Sequence, residues 1–141
     1  MKFFKPFIIL IGLIPVFLSS GGAQDMRSLY KIESLFLYNF TKHIKWEEGA
    51  NSVFTVGVYG NNKAYEEMKT NLGNKMAWGN KINVKQINSP AEAKECQIVF
   101  MPKSNSNKVS NFISQCDYTN TLLVTEEDFM EQGAGISFVL V

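Results

Sequence analysis

"VFTVGVYGNNKAYEEMKTNLGNKMAWGNKINVKQI", residues 53–87, is the stretch that decides the fold. Its first eight residues form a β-rich run in which Val53, Thr55 and the later valines suit a pleated surface. "NNKAYEEMKTNLG" then places Ala64, Met68 and Leu72 on one side of a helix, with Gly73 as its stop. A glycine-containing turn, "NKMAWGN", leads to "KINVKQI" (81–87), which alternates polar and apolar as a half-buried strand does. Strand, helix and strand at this spacing imply a right-handed crossover between parallel strands.

The same alternation continues outward. "SPAEAKE" opens a short helix with Ser89 as N-cap and Pro90 at the first helical position. "CQIVFM" (96–101) is a continuous apolar run of strand length, as expected of a strand covered on both faces. "SNSNKVSNFISQC" reads as a Ser/Asn loop and a helix with Val109, Phe112 and Ile113 inward, and "TLLVT" (121–125) as another apolar strand. "EEDFMEQG" is a helical turn ending at Gly133, and "GISFVLV" a last strand. Towards the N-terminus, "MRSLYKIESLFLYNFTKHIKW" carries apolar residues at 29, 32, 36, 40 and 44, widened by Leu35 and Leu37. Phe36, Phe40 and Ile44 are expected in the core, with Tyr38 and Trp46 as amphipathic edges. The elements predict a three-layer α/β domain: a mainly parallel sheet of about five strands with helices on both faces, preceded by an N-terminal helix.

The first 23 residues stand apart from that domain. Lys2 and Lys5 precede the apolar run "PFIILIGLIPVFL", and Gly21 and Ala23 occupy the −3 and −1 positions of a signal-peptidase site. The run is about 13 residues long and contains Pro15, whereas a membrane-spanning helix needs roughly 20. It is read as a signal peptide cleaved after Ala23, leaving residues 24–141 as one exported domain with no membrane insertion. Removing Lys2 and Lys5 from 14 basic residues leaves 12 against 13 acidic ones, a formal charge of −1. No field of that size favours nucleic acid. In an oxidising compartment Cys96 and Cys116 are expected to pair as a disulfide. Neither has the neighbours of a zinc site or a thiol catalyst.

Four places are candidates for chemistry. Gly57 and Gly60 lie at a strand-to-helix turn, but the pattern falls short of G-x-G-x-x-G and reads as an ordinary βα turn. Glu126, Glu127 and Asp128 follow a strand, where metal or acid–base residues often sit. Thr125 with Asp128 three residues on also resembles a capping box, the favoured reading. His43 is the only histidine, and its helical setting among Phe40, Ile44 and Trp46 predicts a partly buried or interfacial role. Asn39-Phe40-Thr41 matches a glycosylation pattern inside an apolar helix, a coincidence of composition. No nucleophile, base and oxyanion donor come together. The chain reads as a protein that binds rather than catalyses, without metal or cofactor.

"YKIESLFLYNFTKHIKW" resembles the opening helix of the YfiR-like family of periplasmic regulators, through Lys31, Phe36, Leu37, Tyr38, Asn39, Phe40, Ile44 and Trp46. "FTVGVYGN", "AKECQIVFMPKS", "TLLVTE" and "GAGISFVLV" are similar to later family segments in the same order, with Ser137 in place of a usual Asn. The resemblance covers about residues 29–141. It implies a regulator without catalysis that contacts the periplasmic domain of an inner-membrane signalling enzyme, a diguanylate cyclase or a histidine kinase. It also implies a homodimer, with disulfides supporting the fold. Cys96 fits a family position and Cys116 has no matched counterpart. Family members continue with another strand and helix, so the segment ending at Val141 is expected to be an open apolar strand that destabilises a monomer or pairs with a second copy. A periplasmic small-ligand-binding domain, using the crevice at the strand ends, is the alternative.

Overall fold

A computed structural model describes residues 21–47, 53–116 and 120–139. Five strands form one sheet: β1 (Thr55–Tyr59), β4 (Asn83–Ile87), β5 (Ile98–Met101), β6 (Leu122–Thr125) and β7 (Ile136–Ser137). Their order is β4-β1-β5-β6-β7, and every pairing is parallel. The mainly parallel sheet expected from the alternation is therefore wholly parallel. Between β1 and β4 lie helix α2 (Asn62–Leu72) and a two-residue-per-strand hairpin, β2 (Met76–Ala77) with β3 (Asn80–Lys81).

Alternating side chains build two cores on opposite sheet faces. Val56 and Val58 of β1, Ile98 and Phe100 of β5 and Val124 of β6 pack under α2 and the N-terminal helix α1 (Gly21–His43). Val99, Met101 and Leu123 point the other way, against Val109 and Phe112 of α3 (Val109–Gln115). All four residues of β5 are buried, which is why that strand lacks a polar face. Two buried faces with helices on each make the three-layer domain that the strand–helix alternation predicts.

Local chemistry accounts for the joints. Asn61 caps α2, its side-chain oxygen accepting the Ala64 N–H at 3.0 Å. Trp78 and Gly79 have φ of +53° and +78°, the paired positive values of a tight two-residue hairpin turn. Trp78 adopts a conformation that non-glycine residues avoid, and its ring meets Phe54 edge-on at 5.0 Å. At Gly57 a Cβ would lie 2.8 Å from the Cys96 sulfur, so the close approach of β1 to that side chain requires glycine.

Three local expectations are corrected. "SPAEAKE" forms a 3-10 helix (Pro90–Glu95) rather than an α-helix, and Ser89 makes no capping hydrogen bond. No helix starts at Thr125; its hydroxyl donates to the Glu127 carbonyl at 2.7 Å and contacts the Ser137 hydroxyl at 2.8 Å. The helical turn in that loop is confined to Met130–Gln132, closed by Gly133 at φ +115°.

The third correction concerns α1. Its buried stripe is Tyr30, Glu33, Ser34 and Leu37, not the series of 32, 36, 40 and 44. Ile32, Leu35 and Phe36 are about half exposed, at 53%, 50% and 49%. The stripe can include a serine because its hydroxyl donates to the Tyr30 carbonyl at 2.6 Å, within the helix. Phe40 and Ile44 are half-buried, Phe40 stacked on Phe138 at 6.3 Å. The expected cleavage site after Ala23 falls in the first turn of α1, while residues 1–20, Leu140 and Val141 lie outside the described residues.

Candidate functional site

The carboxyl ends of β5 and β6 and the first half of α1 enclose a cleft of about 660 Å³. Each wall follows from the topology. The parallel sheet carries Lys103, just past β5, and Glu126, just past β6, to the same edge. α1 crosses above them and contributes Met26, Leu29 and Glu33. The loop from β6 to β7 closes the far side with Phe129, Phe138 and Val139. Ser137 fixes that loop: its hydroxyl meets that of Thr125 and accepts the Phe129 N–H at 3.2 Å.

Glu33 and Glu126 are the chemical centre. Glu33 is 3% exposed, and its Oε2 has no hydrogen-bond partner. The Glu126 carboxyl lies beside that of Glu33. Burial pushes the Glu33 carboxyl up to about 9, and the adjacent Glu126 charge adds to the rise. Burial raises Glu126 as well, opposed by the Lys103 backbone N–H, which donates to its Oε2 at 2.6 Å. Tyr30 is raised by burial and then by the two carboxyls. At the mouth, Lys103 Nζ lies 3.5 Å from Glu127, an exposed ion pair worth little in water.

The residue order of "TEEDF" suggests a helix cap, and the structure instead sets a half-buried Glu126 beside Glu33. Asp128 stays exposed and accepts the Met130 N–H at 3.2 Å. Sequence reasoning missed Glu33 altogether. The available signal was the spacing of Tyr30, Glu33, Ser34 and Leu37, a complete helical stripe with an acid in it.

The other sequence candidates lie elsewhere. Leu37 is core; Phe36 and Asn39 are exposed; Tyr38 and Phe40 are half-buried. Lys42 and Lys75 approach the Tyr38 ring at 4.1 and 5.2 Å. Trp46 donates its indole N–H to the Phe40 carbonyl at 3.1 Å and meets Phe54 edge-on at 5.2 Å. His43 is exposed in the last turn of α1, not partly buried. At the βα turn, Asn61 donates to Ser104 at 2.8 Å, and the Asn105 amide fills the space a Cβ on Gly60 would need. That turn is occupied by protein groups rather than open to a phosphate.

Cys96 is buried and packs in the second core, and Cys116, at the end of α3, packs against the same cluster. Burial pushes the Cys96 thiol up to about 11, with smaller contributions that include Cys116. Among the described residues no cluster of three or more His, Cys, Asp or Glu is placed to hold a metal. No described helix is long and apolar enough to cross a membrane.

The fold and the cleft define a three-layer parallel α/β domain with a carboxyl pair at the carboxyl ends of its strands. No curated protein matches the chain. A family model does: the chain belongs to the YfiR/HmsC-like family, matched over residues 30–141, a span that opens at the buried Tyr30 of α1. This is a family of periplasmic signalling regulators.

Proposed function

We propose that the protein is exported by a signal peptide cleaved after Ala23. In the periplasm it modulates an inner-membrane signalling enzyme, a diguanylate cyclase or a histidine kinase, by contact with that enzyme's periplasmic domain. The family match over residues 30–141 carries this reading. It is supported by the exposed apolar face of α1, where Ile32, Leu35 and Phe36 lie at i, i+3 and i+4. Apolar side chains exposed together on one face are a common mark of protein contact. The regulator acts by binding and carries out no catalysis.

The test is co-purification: tagged protein, expressed in the native host from the full chain, is recovered from detergent-solubilised envelopes. A membrane signalling enzyme in the eluate supports the reading, and its absence beside an abundant tagged protein contradicts it.

Two further parts of the reading rest on the resemblance and the compartment. The protein is a homodimer, which light scattering at micromolar concentration should report as twice the monomer mass. Cys96, a buried thiol in the described structure, pairs with Cys116 of the same cluster as a disulfide once the protein is in the oxidising periplasm.

A further inference from the structure

The cleft at the strand ends has chemistry that the protein-contact reading leaves unused. Five ionisable groups line it: Glu33, Glu126, Glu127, Asp128 and Lys103, four acids against one base. Lys103 directs its ammonium to Glu127 and its backbone N–H to Glu126, so both of these donors are engaged away from Glu33. Glu33 keeps an oxygen without a hydrogen-bond partner although the residue is only 3% exposed. A buried polar atom of that kind is an anomaly that a bound donor would remove. The rest of the lining is largely apolar and includes Leu29, Phe129 and Phe138. The volume, about 660 Å³, lies within the ordinary range of small-molecule sites.

We infer that this cleft binds a small organic monocation, an ammonium or guanidinium group on an apolar body. Its N–H donors contact the free oxygen of Glu33 and the carboxyl of Glu126, and its apolar part lies against Leu29, Phe129 and Phe138. An organic cation is favoured over a metal ion because the described residues place no cluster of three ligands. An anion would meet the carboxyl pair, and a neutral molecule would leave its charge without a counterion. The proton that Glu33 carries at neutral pH is the group the cation replaces: the Glu33 carboxyl O–H bond breaks, the proton leaves to solvent, and the ligand's N–H contacts the carboxyl oxygens instead. The charged or titratable groups facing the pair are Tyr30 from α1, Lys103 after β5, and Glu127 and Asp128 after β6. Binding therefore tightens as pH rises from 7 towards 9, the range in which the Glu33 proton becomes easier to displace.

Hexylamine, hexan-1-ol and hexanoate are the probes, one cation, one neutral isostere and one anion. Calorimetry with the mature protein at pH 7 should show one hexylamine bound, with hexan-1-ol and hexanoate at least about tenfold weaker, the scale of one charge-assisted hydrogen bond. Repeating the titration in phosphate and in Tris, whose ionisation enthalpies differ, should show a proton released on binding. Glu33→Gln should weaken hexylamine at least about tenfold and leave hexan-1-ol unchanged, with Glu126→Gln as the second variant. Equal binding of the three probes, no binding of any, unchanged affinity in both variants, or stabilisation by magnesium, calcium or zinc but not by hexylamine would each overturn the inference. None of these outcomes depends on a membrane partner, so the site and the protein-contact function stand or fall separately.

Discussion

Glu33 is held protonated at neutral pH because burial and the adjacent Glu126 both oppose its charge. The linkage to stability follows in sign. Glu33 titrates near its ordinary value of 4.5 when unfolded and near 9 when folded. Between those values the folded chain keeps a proton that the unfolded chain has lost, so stability falls as pH rises through the window. Glu33→Gln keeps the shape and cannot ionise. Its melting temperature should exceed that of the wild type at pH 8, by several degrees, and the two should converge near pH 4. Equal melting temperatures at pH 8 would show that Glu33 is not desolvated in the fold. A second residue-scale expectation concerns the cysteines. A Cys96–Cys116 bridge would close a loop of about 20 residues and add on the order of 3 kcal/mol. Mass spectrometry of unreduced periplasmic protein should find both sulfurs protected from alkylation, and reduction should lower the melting temperature. Two alkylatable thiols would end that claim.

At the scale of the element, α1 separates what holds the fold from what is left for contact. Leu37 is fully buried and Phe36, one residue earlier, is half exposed. Leu37→Ala should therefore destabilise the protein by about 2–5 kcal/mol, the range for a large-to-small change in a core. Phe36→Ser should cost much less, limited to its contact with Phe138 at 5.7 Å, while weakening partner recovery. Urea denaturation of the two variants checks the contrast, and similar losses in both would place Phe36 in the core after all. The strands were legible in the sequence because their burial is written in their composition: "CQIVFM" has apolar residues for both faces, and both faces are covered. The orientation of α1 was not. Large apolar residues occur around most of that helix, so periodicity did not single out the stripe with Tyr30, Glu33 and Ser34. It includes a serine satisfied within the helix and a glutamate set beside Glu126, 93 positions further along the chain. Contacts of that range leave no local mark in a sequence. "TEEDF" showed its acids but not their division of labour, because only the parallel crossover from β6 to β7 carries Glu126 under α1 while leaving Asp128 exposed.

In the whole molecule, a three-layer α/β scaffold of the YfiR/HmsC-like family carries an exposed apolar face on α1. The central claim is that this face meets a membrane signalling enzyme. It is tested most directly by placing a photo-crosslinking amino acid at position 36 on α1, and separately at position 114 on the opposite layer. Ser114 is exposed on α3 and serves as the internal control. Illumination of native cells expressing each variant, followed by mass spectrometry of the adducts, identifies what lies beside each position. A membrane diguanylate cyclase or histidine kinase should be crosslinked from position 36 and not from position 114. Recovery of no signalling enzyme from position 36, in protein that is exported and folded, would contradict it.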